Sequence, residues 1–120
     1  MDKFNIFHYS GKWLIYELSI YKPHDGKAPF EKWFLGLKNK KTRQIIHSRI
    51  DRAVFGNLGD VKSLGEEVFE FRIDFGPGFR VYFSVQGQKI LLLLVGGDKR
   101  TQGKDIEKAK AYLKDWKSNG

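Results

Sequence analysis

Apolar and polar residues alternate in three stretches of the chain, and a fourth stretch is apolar throughout. The alternation over residues 14–21 has the two-residue period of a strand with one buried face. The same period recurs over 68–75 and 79–86, and the Gly-Pro-Gly sequence at 76–78 predicts that these two strands form a β-hairpin. Because residues 90–95 are all apolar, we expect a central strand there that is buried on both faces.

Three other segments have the spacing of amphipathic helices. The first is predicted to begin near Pro29, because proline suits the first helical turn. The second is predicted to begin with Thr42 as its cap and to end at Gly56. The last is predicted from apolar residues at core spacing, namely Ile106, Ala109, Leu113 and Trp116. The pattern predicts an α+β fold of strand, two helices, three strands and helix, with a mostly antiparallel sheet and the helices packed on one face.

Size and charge narrow the class of protein. The chain has 120 residues and neither a repeat nor a linker, so we expect a single domain over residues 1–120. It carries 22 Lys and Arg against 14 Asp and Glu, a formal net charge of +8. An excess of this size favours polyanionic partners such as nucleic acid.

Several classes of protein are not supported. The chain has no cysteine, which argues against a disulfide scaffold, a zinc finger and a cysteine nucleophile. The apolar run at 90–95 is far shorter than the roughly 20 residues that a membrane-spanning helix needs. The first residues lack the pattern of a signal peptide, so we expect a cytoplasmic protein with no membrane partner.

The polar face of the predicted hairpin carries candidate chemistry. If the two strands pair around the Gly-Pro-Gly turn, Asp74 faces Arg80 and Arg72 faces Tyr82. Two arginines and a phenol then lie on the uncovered face of the sheet, and guanidinium groups match the geometry of phosphate oxygens. An ordinary solvated face with an Asp74–Arg80 pair explains the same alternation.

A second polar stretch lies at residues 96–102, between the buried strand and the last helix. Its two glycines allow a sharp turn or a close approach to a ligand, and Asp98, Lys99 and Arg100 follow them. The stretch is interpreted either as a phosphate-binding loop or as a helix cap whose charges are solvated. Lys62 is a further exposed base near the start of the hairpin.

The remaining charged residues are interpreted as surface. The basic residues of the two predicted middle helices are interpreted as a solvated face with a secondary role in docking to nucleic acid: Lys38, Lys40, Lys41, Arg43, Arg49 and Arg52. A carboxylate cluster is interpreted as turn and strand-surface residues: Glu66, Glu67 and Glu70. We expect neither a metal nor a cofactor, because no metal-ligand spacing joins the histidines, which are His8, His24 and His47.

Several long runs, found in one order along the chain, resemble a known family. The addiction-module killer proteins contain similar runs, which in this chain are residues 56–62, 68–73, 75–83 and 96–102. These proteins form a HigB-like, phage Gp49-like branch of the RelE/ParE toxin superfamily. The resemblance covers about residues 14–116 and leaves residues 1–13 as an N-terminal extension of unknown role.

The resemblance implies a fold, a partner and an activity. The fold is RelE-like β-α-α-β-β-β-α, and the partner is a cognate helix-turn-helix antitoxin. The activity is that of a type II toxin: a metal-independent endoribonuclease that cuts messenger RNA (an mRNA interferase), commonly on the ribosome. In that reaction the ribose 2′-hydroxyl attacks the adjacent phosphate and leaves a cyclic phosphate.

By the same resemblance, Arg80 matches the phosphate-stabilising arginine of the superfamily and Arg72 a neighbouring basic position. Lys99 or Arg100 falls where relatives carry a functional residue beyond the last strand. Asp98 is the candidate base, Lys99 or Lys62 helps neutralise the transition state, and Tyr82 stacks on a base or orients a phosphate. The predicted catalytic residues are Arg80, Arg72, Asp98 and Lys99, and the predicted RNA-binding residues are Lys62, Tyr82 and Arg100.

The chain departs from the family in its groups for proton transfer. Several relatives carry a histidine or tyrosine near the end of the last strand or at the C-terminus, whereas this chain ends Trp-Lys-Ser-Asn-Gly. An aspartate with an ordinary pKa near 4 is a weak base at neutral pH. Two alternatives remain: a ParE-like poison of DNA gyrase without nuclease activity, and an inactive relative that binds its antitoxin.

Overall fold

The structure, a computed structural model, describes residues 15–119. The predicted N-terminal extension, with His8, and the first residue of the predicted strand at 14–21 lie outside these residues. The elements in chain order are β1 (Glu17–Ile20), α1 (Pro29–Gly36), α2 (Lys40–Val54), β2 (Val61–Ser63), β3 (Phe69–Ile73), β4 (Phe79–Gln86), β5 (Ile90–Asp98), a 3₁₀ turn (Lys99–Thr101) and α3 (Gln102–Asn119).

The strands form one mixed sheet in the order β1-β5-β4-β3-β2. β1 pairs with β5 in parallel, and the other neighbouring strands pair antiparallel. The α+β class and the mostly antiparallel sheet are therefore confirmed. β2 was not predicted, because a strand of only three residues is too short to show a two-residue period.

Helices cover both faces of the sheet, so the prediction that all helices pack on one face is wrong. α1 and α2 pack Phe30, Phe34 and Ile46 against one face. α3 packs Ala109 and Leu113 against the other. The physical reason lies in β5, whose uninterrupted apolar residues must be buried on both faces and so require a helical layer on each side.

The hairpin of β3 and β4 has a different register from the predicted one. Arg72 lies directly opposite Arg80, and Glu70 lies opposite Tyr82. The expected Asp74–Arg80 pair is wrong because residues 74–78 form a wider connection, in which Gly76 and Gly78 have positive φ of 57° and 82°. The shift is two residues, so the same side chains stay on each face while the two arginines become cross-strand neighbours.

Tyr21, just after β1, ties the edge of the sheet to α3. Its hydroxyl donates a hydrogen bond of 2.6 Å to Asp115 Oδ2, and its ring stacks on Tyr112. Burial, and then the bond to Asp115, raises the pKa of Tyr21 to about 12. No helix among the described residues is both long and apolar enough to cross a membrane.

The raised pKa predicts a stability change at high pH. A phenol whose pKa is higher in the folded state than its unfolded value near 10 stabilises the fold fully below pH 10. That contribution is lost as pH rises from about 10 to about 12, and it amounts to about 3 kcal/mol. We expect urea unfolding at stepped pH to show a loss of stability that is smaller in Tyr21→Phe than in the wild type by this contribution, because the buried Tyr82 phenol, whose pKa is also raised, remains in both proteins. Equal pH dependence in both proteins would contradict the assignment.

Candidate functional site

A cavity of about 410 Å³ lies at the turn end of the β3–β4 hairpin. The end of β3, the start of β4 and the first residue of the 3₁₀ turn converge there, because Lys99 N donates a hydrogen bond of 2.9 Å to Gly78 O. The lining contains three cations, two carboxylates and the turn itself: Arg72, Arg80, Lys99, Asp60, Asp74, Gly76, Pro77 and Gly78.

Arg72 and Arg80 line this cavity from two neighbouring strands. They are direct cross-strand partners, and residues in that relation have Cβ atoms about 4.5–5.5 Å apart. Two like charges in these positions destabilise a hairpin unless anions compensate them. Arg72 is 46% exposed and Arg80 is 13% exposed, so each guanidinium meets a different environment.

The Arg80 guanidinium lies close to two polar groups of the sheet. Its Nη1 donates to Phe79 O at 3.0 Å, and its Nε lies 3.9 Å from Glu70 Oε2. That Nε is buried and has no hydrogen-bond partner. Glu70 is only 1% exposed and accepts hydrogen bonds of 3.0 and 3.1 Å from Gln102 Nε2, so its interpretation as a strand-surface residue is wrong.

Arg72 lies close to the Asp60 carboxylate, which is more exposed than that of Glu70. Its Nε lies 3.7 Å from Asp60 Oδ2, and its backbone N donates to Asp60 O. The same carbonyl accepts a 2.7 Å hydrogen bond from Arg49 Nη2. Arg49 therefore fixes the segment that carries the Asp60 carboxylate.

The structure buries Arg49, which was interpreted as part of a solvated helix face. Arg49 is 8% exposed, and its guanidinium lies over the ring of Phe71. Burial lowers its pKa from the ordinary value. The spacing of Ile46, Arg49 and Ala53 along α2 carried this signal, because these positions share one helical stripe.

The polar stretch at residues 96–102, whose first three residues form the end of β5, divides into residues with different roles. Asp98 caps the 3₁₀ turn: it accepts hydrogen bonds from Arg100 N at 2.8 Å and Arg100 Nη2 at 2.9 Å. The bonds from Arg100 hold the pKa of Asp98 below its ordinary value. Lys99 lines the cavity, whereas Arg100 is 80% exposed and pairs with Asp98.

The two glycines of this stretch serve the packing of helices. A Cβ on Gly96 would lie 2.1 Å from the ring of Trp33, and a Cβ on Gly97 would lie 2.0 Å from Asp105 Oδ2. Both glycines thus allow a close approach, as predicted. The groups that approach them belong to α1 and α3, whereas the prediction allowed for a ligand. The sequence pattern does not distinguish a helix from a ligand at this point.

None of the three predicted RNA-binding residues lines the cavity, which leaves out Lys62 and Tyr82 as well as Arg100. Lys62 is exposed on β2 and is the cross-strand partner of Glu70. Tyr82 is fully buried beneath α3, so its ring packs in the core and is not available to stack on a base. Burial, and then the nearby Glu70, raises the pKa of the Tyr82 phenol.

This arrangement is suited to binding a phosphate. Arg72, Arg80 and Lys99 supply cations from three neighbouring segments, and two of them offer planar guanidinium groups. The Asp60 and Asp74 carboxylates leave one positive charge in excess among the lining side chains. Within residues 15–119, no three His, Asp or Glu side chains converge as metal ligands.

Comparison with known proteins finds a relative of this chain. An uncharacterized protein of Haemophilus influenzae is 49% identical to it over 81 residues, which are 68% of this chain and 82% of that protein. No family model matches the chain.

Proposed function

The chain belongs to the family of that Haemophilus influenzae protein, and we propose that it is a type II toxin that cuts messenger RNA. The single observation that carries the proposal is the cross-strand pair Arg72 and Arg80, which lines an open cavity together with Lys99. Like charges on directly paired positions favour occupation of the site by an anion, because an anion relieves their repulsion.

The order of elements supports membership in the RelE/ParE superfamily. The proposed topology is β-α-α-β-β-β-α, with the short strand β2 added before the hairpin. In the sheet, the first strand lies beside the last, and the hairpin follows. The runs that resemble the toxins include the hairpin turn at 76–78 and the residues that follow β5, and both contribute to the cavity lining.

The proposed reaction is attack of a ribose 2′-oxygen on the adjacent phosphorus. The new bond closes a 2′,3′-cyclic phosphate, the bond to the 5′-oxygen breaks, and the proton that the 2′-hydroxyl releases to solvent is balanced by one that the 5′-oxygen takes up as it leaves as a hydroxyl. Negative charge accumulates on the nonbridging oxygens in the transition state, where preorganised cations act most strongly. Arg80, Arg72 and Lys99 supply those cations.

Asp98 takes a different role in this proposal from the one expected at first. Its oxygens are bonded to Arg100, and its lowered pKa makes it a weaker base. Asp98 instead fixes the 3₁₀ turn and thereby places Lys99 at the cavity.

The partners follow from the charge of the site. An antitoxin with an acidic segment lying over Arg72, Arg80 and Lys99 would neutralise the cavity and exclude RNA. We propose that this partner is a helix-turn-helix protein and that the substrate is messenger RNA on the ribosome. The protein would bind both in the cytoplasm.

Induced expression with mapping of RNA 5′ ends tests this function. We expect growth arrest and new 5′ ends within coding regions soon after induction, with plasmid supercoiling unchanged. Growth arrest with altered supercoiling and no new ends would instead favour a gyrase poison. Unimpaired growth with intact transcripts would leave antitoxin binding as the function and contradict the proposal.

A further inference from the structure

Glu70 is a buried carboxylate on the sheet face that α3 covers. It lies in β3, two residues before Arg72, and 1% of it is exposed. Carboxylates are rarely buried to this extent unless cations or hydrogen bonds compensate them. Gln102, at the start of α3, donates to both of its oxygens.

The cation nearest to Glu70 belongs to the candidate site. Arg80 Nε is 3.9 Å from Glu70 Oε2, and the same Nε is buried with no hydrogen-bond partner. A buried donor without a partner is unfavourable, and the Glu70 carboxylate is the nearest negative charge that compensates this N–H, while Nη1 of the same guanidinium donates to Phe79 O. The amide of Gln102 holds that charge in place through hydrogen bonds to both carboxylate oxygens.

The two arginines of the cavity therefore have unequal counterions. Asp60, beside Arg72, has a side chain that is 62% exposed, and its attraction is screened by water and salt. Glu70 is fully enclosed, and its attraction to Arg80 is screened much less. A phosphate in the cavity therefore meets weaker competition from Asp60 at Arg72 than from Glu70 at Arg80.

We propose that Glu70, held by Gln102, is a positioning residue that fixes the direction of the Arg80 guanidinium in the cavity. The residue does not touch the substrate. The positioning of Arg80 by Glu70 does not depend on what the protein does. Its effect on RNA cleavage, in contrast, rests on the proposed function. An arginine fixed in advance stabilises the transition state without reorganisation at the moment of reaction.

Nuclear magnetic resonance of the arginine side chains tests the positioning directly. The Arg80 Nε–H signal, identified by its loss in Arg80→Lys, is expected to be sharp and protected from exchange in the wild type. In Glu70→Gln, a neutral isostere, we expect the signal to shift and to broaden through exchange. Glu67→Gln is the matched control, because Glu67 is exposed and pairs with Lys117. An Arg80 signal that stays the same in Glu70→Gln would overturn the proposal.

Gln102→Ala provides a second variant that keeps both charges. We expect a smaller shift of the same Arg80 signal, since Glu70 is retained but is no longer held. If Glu70→Gln fails to fold, this variant decides: an unchanged Arg80 signal overturns the proposal, and a shifted signal supports it.

Cleavage kinetics give the functional consequence. Glu70→Gln is expected to lower kcat by about tenfold to a hundredfold, while KM stays within about twofold. A rise in KM with kcat unchanged would overturn the positioning role. If the wild type cuts no RNA and the Arg80 signal still depends on Glu70, the proposed function fails and the positioning stands.

Discussion

RNA cleavage is expected to fall by at least about a hundredfold when Arg80 is replaced by alanine. Removal of one preorganised donor to a transition-state oxyanion has an effect of this size in other enzymes. Arg80→Lys keeps a positive charge beside Glu70 but loses the planar fork, so we expect an intermediate rate. Initial rates on a synthetic message in a translation extract provide the measurement.

Arg52→Ala is the matched control for Arg80. Arg52 is an exposed arginine in the last turn of α2 and lies outside the cavity lining. Its loss changes the net charge as Arg80→Ala does, so a general electrostatic effect would slow both variants alike. Cleavage by Arg80→Ala at the wild-type rate, with circular dichroism showing a folded protein, would contradict the assignment of the site.

Gly96→Ala is expected to destabilise the fold by about 3 kcal/mol. The added methyl group would lie within 2.1–2.5 Å of three ring atoms of Trp33. Trp33 cannot easily move away, because it packs between Phe30 and Phe79. The expected result is a melting temperature lower by about 10 °C in a thermal scan.

Gly36→Ala provides the comparison for this substitution. Gly36 ends α1, and a Cβ there would meet no atom within 4 Å. Alanine favours helix over glycine, so Gly36→Ala is expected to leave the melting temperature unchanged or to raise it slightly. A Gly96→Ala protein as stable as Gly36→Ala would show that α1 can withdraw from the sheet.

The elements of the fold were largely predictable, because their periods are local. The alternation in β3 and β4 and the apolar run in β5 are visible in the sequence, and Pro29 marks the start of α1. The position of α3 was not predictable in the same way. The face on which a helix packs depends on the path of the whole chain, although the apolar residues of β5 already required cover on both faces.

The candidate site was predicted in part. Arg72 and Arg80 were expected to share a face. Residues opposite each other in a hairpin lie on the same face, and so do residues two apart in one strand. The direct pairing of Arg72 with Arg80 depends on a five-residue connection, and no local pattern fixed that length. Glu70 was misread because a charged residue at an alternating position normally faces water. Glu70 is buried because α3 covers this face of the sheet, and its carboxylate is compensated by Gln102, which is 32 residues away in the sequence.

End-group analysis of messenger RNA, cut in a translation extract at a site already mapped, tests the central claim most directly. The claim is that Arg72, Arg80 and Lys99 hold a phosphate that the neighbouring 2′-oxygen attacks. The wild-type protein is expected to leave a 2′,3′-cyclic phosphate and a 5′-hydroxyl, and to leave intact a message with one 2′-deoxy residue at that site. Equal cutting of the deoxy message, or products without the cyclic phosphate, would contradict the account.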